Sequence, residues 1–154
     1  MVVRQLQPSD FAEIVKIWIR EIYDGAIRLV YSREDFIIKT YDDLATILNA
    51  PDLCLLGLED SSQIAGAIIG FGNPKLGIYY CPLIWVSPAR RNQHHGTMLA
   101  QLLHKWALER GYEKFAVETG TRMPIIKQLL KNLGFHQTRT VWFKVENGST
   151  TKRT

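Results

Sequence analysis

Cysteine is scarce in this chain of 154 residues: there are two, Cys54 and Cys81. Both lie in strand-like segments without metal-ligand spacing. That argues against a disulfide-stapled secreted scaffold and a cysteine-ligated metal module, and two reduced, buried thiols are expected. No metal site is expected. Long hydrophobic runs are lacking too. The longest, such as AGAIIGF, fall far short of the ~20 apolar residues a membrane span needs. The opening MVVRQLQPSD has no apolar run behind its charge, so no signal peptide is expected and the cytoplasm is the expected compartment. Repeats and low-complexity linkers are missing as well. With 46% hydrophobic and 22% charged residues, the composition is that of an ordinary globular domain long enough to bury a core.

The net charge of +4 hides an asymmetry. Residues 1–89 carry seven Lys/Arg against eleven Asp/Glu, whereas residues 90–154 carry twelve against four. The basic half has no stripe of Lys/Arg interleaved with aromatics, so no nucleic-acid partner is expected. One anionic ligand on the basic half fits better, with a cationic one near the acidic half or plain solvated charge there.

Along the chain, VVRQL reads as a strand and PSDFAEIVKIWIREIY as a helix capped by Ser9 or Asp10. The segment YDDLATILNA reads as a second helix stopped by Pro51. LCLLGLE and QIAGAIIGF flank DSS as a hairpin. GIYYCPLIWV is a further strand, and Pro82, which cannot donate to a ladder, marks a bulge or lapse in pairing. A helix carrying Leu99, Leu102, Leu103, Trp106 and Ala107 follows, stopped by Gly111. Then come a strand KFAVET, a helix PIIKQLLKNLG ended by Gly134, and a last strand VWFKV. This is a mixed α/β order, expected as one domain over residues 1–146 with a disordered tail at 147–154.

The stretch VSPARRNQHHGTMLAQLL changes from strand to helix at its middle. A helix start exposes unpaired N–H groups and the positive end of the dipole. Placing Arg90, Arg91, His94 and His95 there adds repulsion unless an anion binds, and phosphate is the natural candidate. His94 and His95 read either as exposed loop residues or as partly protonated imidazoles near that anion. The turn at His94 is expected to be close to helical, because a left-handed histidine is uncommon.

The element order, with Val86, Pro88, Arg91 and Gly96 at this junction, resembles the GNAT superfamily of acyl-CoA-dependent N-acyltransferases over nearly the whole chain. His94 stands where that family usually has its first glycine. The resemblance implies the GNAT fold, a central twisted mixed sheet with flanking helices, and acetyl-CoA as cosubstrate. Its pyrophosphate would lie on the backbone N–H groups of Asn92, Gln93, His94, His95, Gly96 and Thr97, with Arg91 or Arg90 adding charge-assisted contacts. Backbone on Ile84, Trp85 and Val86 would hold the thioester and supply the oxyanion donor. The Pro82 bulge would splay this strand from KFAVET and open the pantetheine slot.

The resemblance further implies an amine acceptor, either a small molecule or a protein N-terminus or lysine, attacking the thioester directly in a ternary complex. Glu118 in AVETG matches the position of a base acting through water; a strand-end carboxylate paired with Arg122 is the structural alternative. Tyr80 occupies another branch's base position and would relay a proton or shape the acceptor pocket, or simply pack. Glu21, Asp24, Glu34, Asp35, Asp42 and Asp43 would attract a cationic acceptor. Two departures stand out: Leu130 replaces the family's tyrosine acid and Met123 its helix-start asparagine. A non-catalytic acyl-CoA-binding sensor is therefore the alternative function. A homodimer is compatible with the sequence.

Overall fold

Pro82 governs how the sheet is built. In the computed structural model, which describes residues 1–23, 30–117, 130–132, 134 and 135, the chain forms five strands in sequential order. They are β1 (Val2–Gln5), β2 (Cys54–Asp60), β3 (Gln63–Asn73), β4 (Ile78–Val86) and β5 (Lys114–Val117). β1 to β4 pair antiparallel, and β5 joins β4 in parallel. Between β3 and β4, Ile69 faces Leu83 while Phe71 faces Tyr80, so Cys81 and Pro82 together oppose Gly70. That is a bulge, placed where proline removes a ladder donor.

A bulge shifts side-chain parity by one. Tyr79 and Cys81 therefore share a face with Ile84 and Val86, while Leu83 and Trp85 point the other way. Gly70 is required opposite the bulge, because a Cβ there would lie 2.6 Å from both Leu103 Cδ1 and Tyr79 Cε1.

Helices cover both faces. α1 (Phe11–Ile22) is entered through a 3-10 turn at Pro8–Asp10, and α2 spans Arg33–Leu48. Ile14, Val15 and Ile17 of α1 pack with Phe36 and Leu44 of α2 over Ala67, Ile69, Leu83 and Trp85. α3 (His95–Glu109) covers the opposite face with Leu99, Leu103 and Ala107. Its Leu102 is exposed, so the apolar stripe is narrower than the spacing predicts.

Two helix starts differ from expectation. α2 begins at Arg33, eight residues before the predicted Tyr41, because Ser32 caps it by accepting from Asp35 N–H at 3.1 Å. Asp10 does stand at the N-cap of α1, but its carboxylate is spent elsewhere. It accepts from Gln7 N–H at 2.7 Å and from Arg4 at 2.8 and 3.0 Å. The hairpin predicted at DSS forms through Ser61 and Ser62, both with positive φ as a tight two-residue turn demands.

Asp52 ties the C-terminal end of α3 to the sheet. Its carbonyl accepts from Tyr79 Oη–H at 2.8 Å and Trp106 Nε1–H at 3.3 Å, and its carboxylate accepts from Tyr112 at 2.6 Å. The hydrogen bond to Asp52, with burial second, pushes the Tyr112 hydroxyl up to about 12. Gly134 has φ +87, and Phe135 N–H reaches back to Leu130 O at 2.9 Å, the helix stop expected there. The predicted strand VWFKV, the tail at 147–154 and most of the PIIKQLLKNLG helix lie outside the described residues. Among the described residues no helix is long and apolar enough to cross a membrane.

Candidate functional site

The β4–α3 junction is built from strained backbone and an open helix start. After Val86 the chain makes a 3-10 turn at Pro88–Arg90, and Arg91 is extended. Asn92 and His94 are then both left-handed, with φ +61 and +62. His94, expected to be near-helical, is instead the left-handed N-cap of α3 with ψ 13. A non-glycine residue there costs roughly 1–2 kcal/mol, and such strain collects at functional sites. The geometric need is plain: the chain must leave an extended Arg91 and turn directly into a helix.

No side chain caps α3. Met98 N–H is the first to reach back, to His94 O at 3.0 Å. The N–H groups of His95, Gly96 and Thr97 therefore lack intrahelical acceptors, and the dipole's positive end faces outward with them. Gly96 brings no side chain of its own into this turn, which would let an anion come close.

The two arginines divide their labour. Arg91 donates Nε–H to Val86 O at 2.9 Å, pinning the loop onto the end of β4. Arg90 forms an ion pair with Asp60 at the end of β2. His95 Nε2 lies 3.3 Å from Gln93 Oε1, leaving both on the outer rim of the loop.

Ile84 and Val86 point toward α3, and Trp85 points toward α1 and α2. Described pairing along the β5 side of β4 ends at Cys81–Val117, one residue before Pro82. Among the described residues no strand pairs with that edge from Leu83 onward. Beside it a solvent-open cleft of about 100 Å³ runs between β4, β5 and α3, with Leu130 and Phe135 also lining it. Its lining is overwhelmingly apolar. Sequence reasoning anticipated a slot at this bulge but missed the α3 residues that wall it, Gln101 and His104. Helical spacing from Leu99 and Leu103 would have put both on the rim of the buried stripe.

Neither cysteine is poised for chemistry. Desolvation pushes the Cys81 thiol up to about 12 and Cys54 up to about 11, and Cys81 donates Sγ–H to Leu83 O at 3.4 Å. Tyr80 is half-buried on the face away from the cleft, stacked on Phe71 with ring centroids 5.6 Å apart. Glu118 follows directly on β5 and, like Met123, lies outside the described residues.

Part of the acidic group has structural employment. Glu34 and Asp35 occupy the first turn of α2, where negative charge complements the dipole, and Asp43 pairs with Lys39. Asp42 is exposed; Asp24 and the side chain of Glu21 lie outside the described residues. No group of His, Cys, Asp and Glu able to hold a metal ion occurs among the described residues.

Residues 7–135 match the Acetyltransferase (GNAT) family, and the chain belongs to that family. No curated protein sequence matches it. Solved structures share the fold at low identity. An aminoglycoside 6'-N-acetyltransferase from Acinetobacter haemolyticus is 15% identical, with a TM-score of 0.68 over 96% of this chain and 99% of that one. The ribosomal-protein-S18-alanine N-acetyltransferase of Escherichia coli is 17% identical, with a TM-score of 0.65 over 90% and 79%. An aminoglycoside N-acetyltransferase solved in complex with CoA is 18% identical, with a TM-score of 0.62 over 95% and 99%.

Proposed function

We propose that this protein transfers an acetyl group from acetyl-CoA to an amine by direct attack within a ternary complex. Family membership supplies the cosubstrate class. The observation that carries the reading for this chain is the uncapped start of α3 behind the left-handed Asn92 and His94. There the N–H groups of His95, Gly96 and Thr97 would donate to the pyrophosphate oxygens, with Arg91 holding the loop in place. The pantetheine arm would then enter the cleft beside the bulge, and the β4 backbone at Ile84, Trp85 and Val86 would supply an N–H to the developing oxyanion.

The bond changes are simple. The amine nitrogen adds to the thioester carbonyl, the C–S bond breaks, and coenzyme A leaves as thiolate. The amine loses its proton to water ordered by Glu118. A thiol near the cysteine reference of ~8.5 is a tolerable leaving group at neutral pH, so a missing acid slows the reaction without stopping it. Tyr80, on the α1–α2 face, shapes the acceptor side. The acceptor class is an amine, and relatives of this fold include enzymes named for aminoglycosides and for a protein alanine.

One observation favours a second reading. Leu130 lines the cleft where the resemblance places a tyrosine acid, as expected of a sensor that binds acyl-CoA without turnover. Thermal melts with acetyl-CoA, coenzyme A and ATP test what both readings share. Either coenzyme A species at 100 times its dissociation constant should add roughly 2.7 kcal/mol. No shift with either would remove both.

A further inference from the structure

The outer face of α2 carries an apolar row that acetyl transfer leaves unused. Phe36, Thr40, Leu44 and Ile47 turn inward and are buried. Ile38, Tyr41 and Leu48 turn the other way and are 61%, 49% and 38% exposed. A single exposed apolar residue is ordinary, but these three fall at i, i+3 and i+10, and the exposed Ala45 fills i+7. Together they form one stripe about 15 Å long. It lies on the opposite side of the sheet from the cleft and α3.

The margin of this stripe has one sign. Glu34 continues the row one turn before Ile38, and Asp35 and Asp42, seven residues apart, line one side of it. All three are exposed, and none forms an ion pair among the described residues. Lys39, the cation next to that side, is already engaged by Asp43. Arg33, beside Glu34 in sequence, falls on the opposite margin of the helix.

We infer that the outer face of α2 docks a cationic amphipathic helix of another protein. The apolar side of that helix lies on Ile38, Tyr41 and Leu48, and its lysines or arginines face Asp35 and Asp42. A straight apolar row on a helix is the seam into which a second helix packs. Carboxylates along its rim speed the encounter and select a partner of opposite charge. A second copy is the wrong occupant, because a two-fold axis sets the same patch on both sides and turns acid against acid. An anionic membrane surface is repelled for the same reason. The inference is independent of the acetyl-CoA reading.

The probe is a labelled synthetic helix of about 18 leucine and lysine residues, with the leucines on one face. Its binding to the intact protein is read by fluorescence anisotropy. The parent should bind it, and the same peptide with glutamate for lysine should not bind. Ile38→Ser with Tyr41→Ser should weaken binding by about 10-fold or more. Asp42→Lys should weaken it by about 3- to 10-fold and improve binding of the glutamate peptide. Glu113→Lys, the same charge change on an exposed residue before β5, should alter neither. Ligand-free melts on each variant show whether the fold is kept, and Asp42→Lys decides alone if the serine pair lowers Tm. No binding by the parent, no loss in the folded stripe variants, or an equal loss in Glu113→Lys would overturn the docking face. So would a parent dimer in sedimentation that Ile38→Ser dissolves, since a second copy would then occupy the stripe.

Discussion

Replacing Gly96 by aspartate should make the protein more stable and nearly abolish its binding of coenzyme A. The two effects share one cause. Gly96 is the second residue of α3, a helix whose first N–H groups have no cap and whose dipole is uncompensated. Aspartate replaces a helix-disfavouring glycine, worth a few tenths of a kcal/mol, and puts negative charge in the first turn, worth about 0.3–1 kcal/mol. The unliganded fold should gain roughly 0.5–1.5 kcal/mol, or about 1–5 °C in Tm at this chain length. The same carboxylate would occupy the space of the pyrophosphate. Two unit charges about 4 Å apart at an effective dielectric near 20 repel by about 4 kcal/mol, close to a thousandfold in affinity. Calorimetric titration gives the second number and a ligand-free melt the first. A variant that binds coenzyme A like the parent would refute the assignment of the phosphate site. One that loses binding only because it unfolds would refute the account of the helix start.

Three further outcomes are expected. His94→Gly should relieve the left-handed strain at φ +62 and raise stability by up to about 1 kcal/mol, with coenzyme A binding kept; a drop in Tm would contradict the strain. Gly70→Ala should cost about 1–3 kcal/mol, because its Cβ meets Leu103 and Tyr79 at 2.6 Å; urea midpoints unchanged from the parent would dismiss the close approach. Arg4, chiefly through its hydrogen bonds, holds the Asp10 carboxyl below the usual carboxylate range. A depressed folded-state value means its stabilisation is full above the unfolded value of about 4 and lost as pH falls through and below it. The stability gap between the parent and Asp10→Asn should therefore close on acidification, and a gap that widens would reverse the sign.

Local chemistry made much of this fold legible in the sequence. Pro82 announced the bulge because proline removes a ladder donor wherever it falls in a strand. Gly134 and the DSS turn likewise act through their own residues. The start of α2 was hidden because Thr40 interrupts the apolar count. It is buried at 2% exposure, satisfied by donating to Phe36 O at 2.7 Å. The Ser32 cap, with an acidic residue three positions on, was the signal that could have found it. Contacts far apart in sequence had no local trace at all. Arg4 meets Glu59 at 2.6 Å, and Tyr112 meets Asp52 across the domain. At the site, the cationic junction was readable from charge alone. The left-handed His94 was not, since its φ is set by the path from β4 into α3 and not by histidine's preference. Gln101 and His104 acquire meaning only once β4 and β5 are seen to form the floor beneath them.

The central claim is acetyl transfer, and the measurement that meets it most directly is product stoichiometry. The protein is incubated with acetyl-CoA and a panel of aminoglycosides, polyamines, amino acids and peptide N-termini, and free coenzyme A thiol and acetylated amine are quantified together. The account expects at least one amine to yield both in equal amounts. It expects that rate to fall by about 10²–10⁴-fold in Glu118→Gln while acetyl-CoA affinity is kept. Tight acetyl-CoA binding with no acetylated product from any amine would contradict it and leave the chain an acyl-CoA sensor.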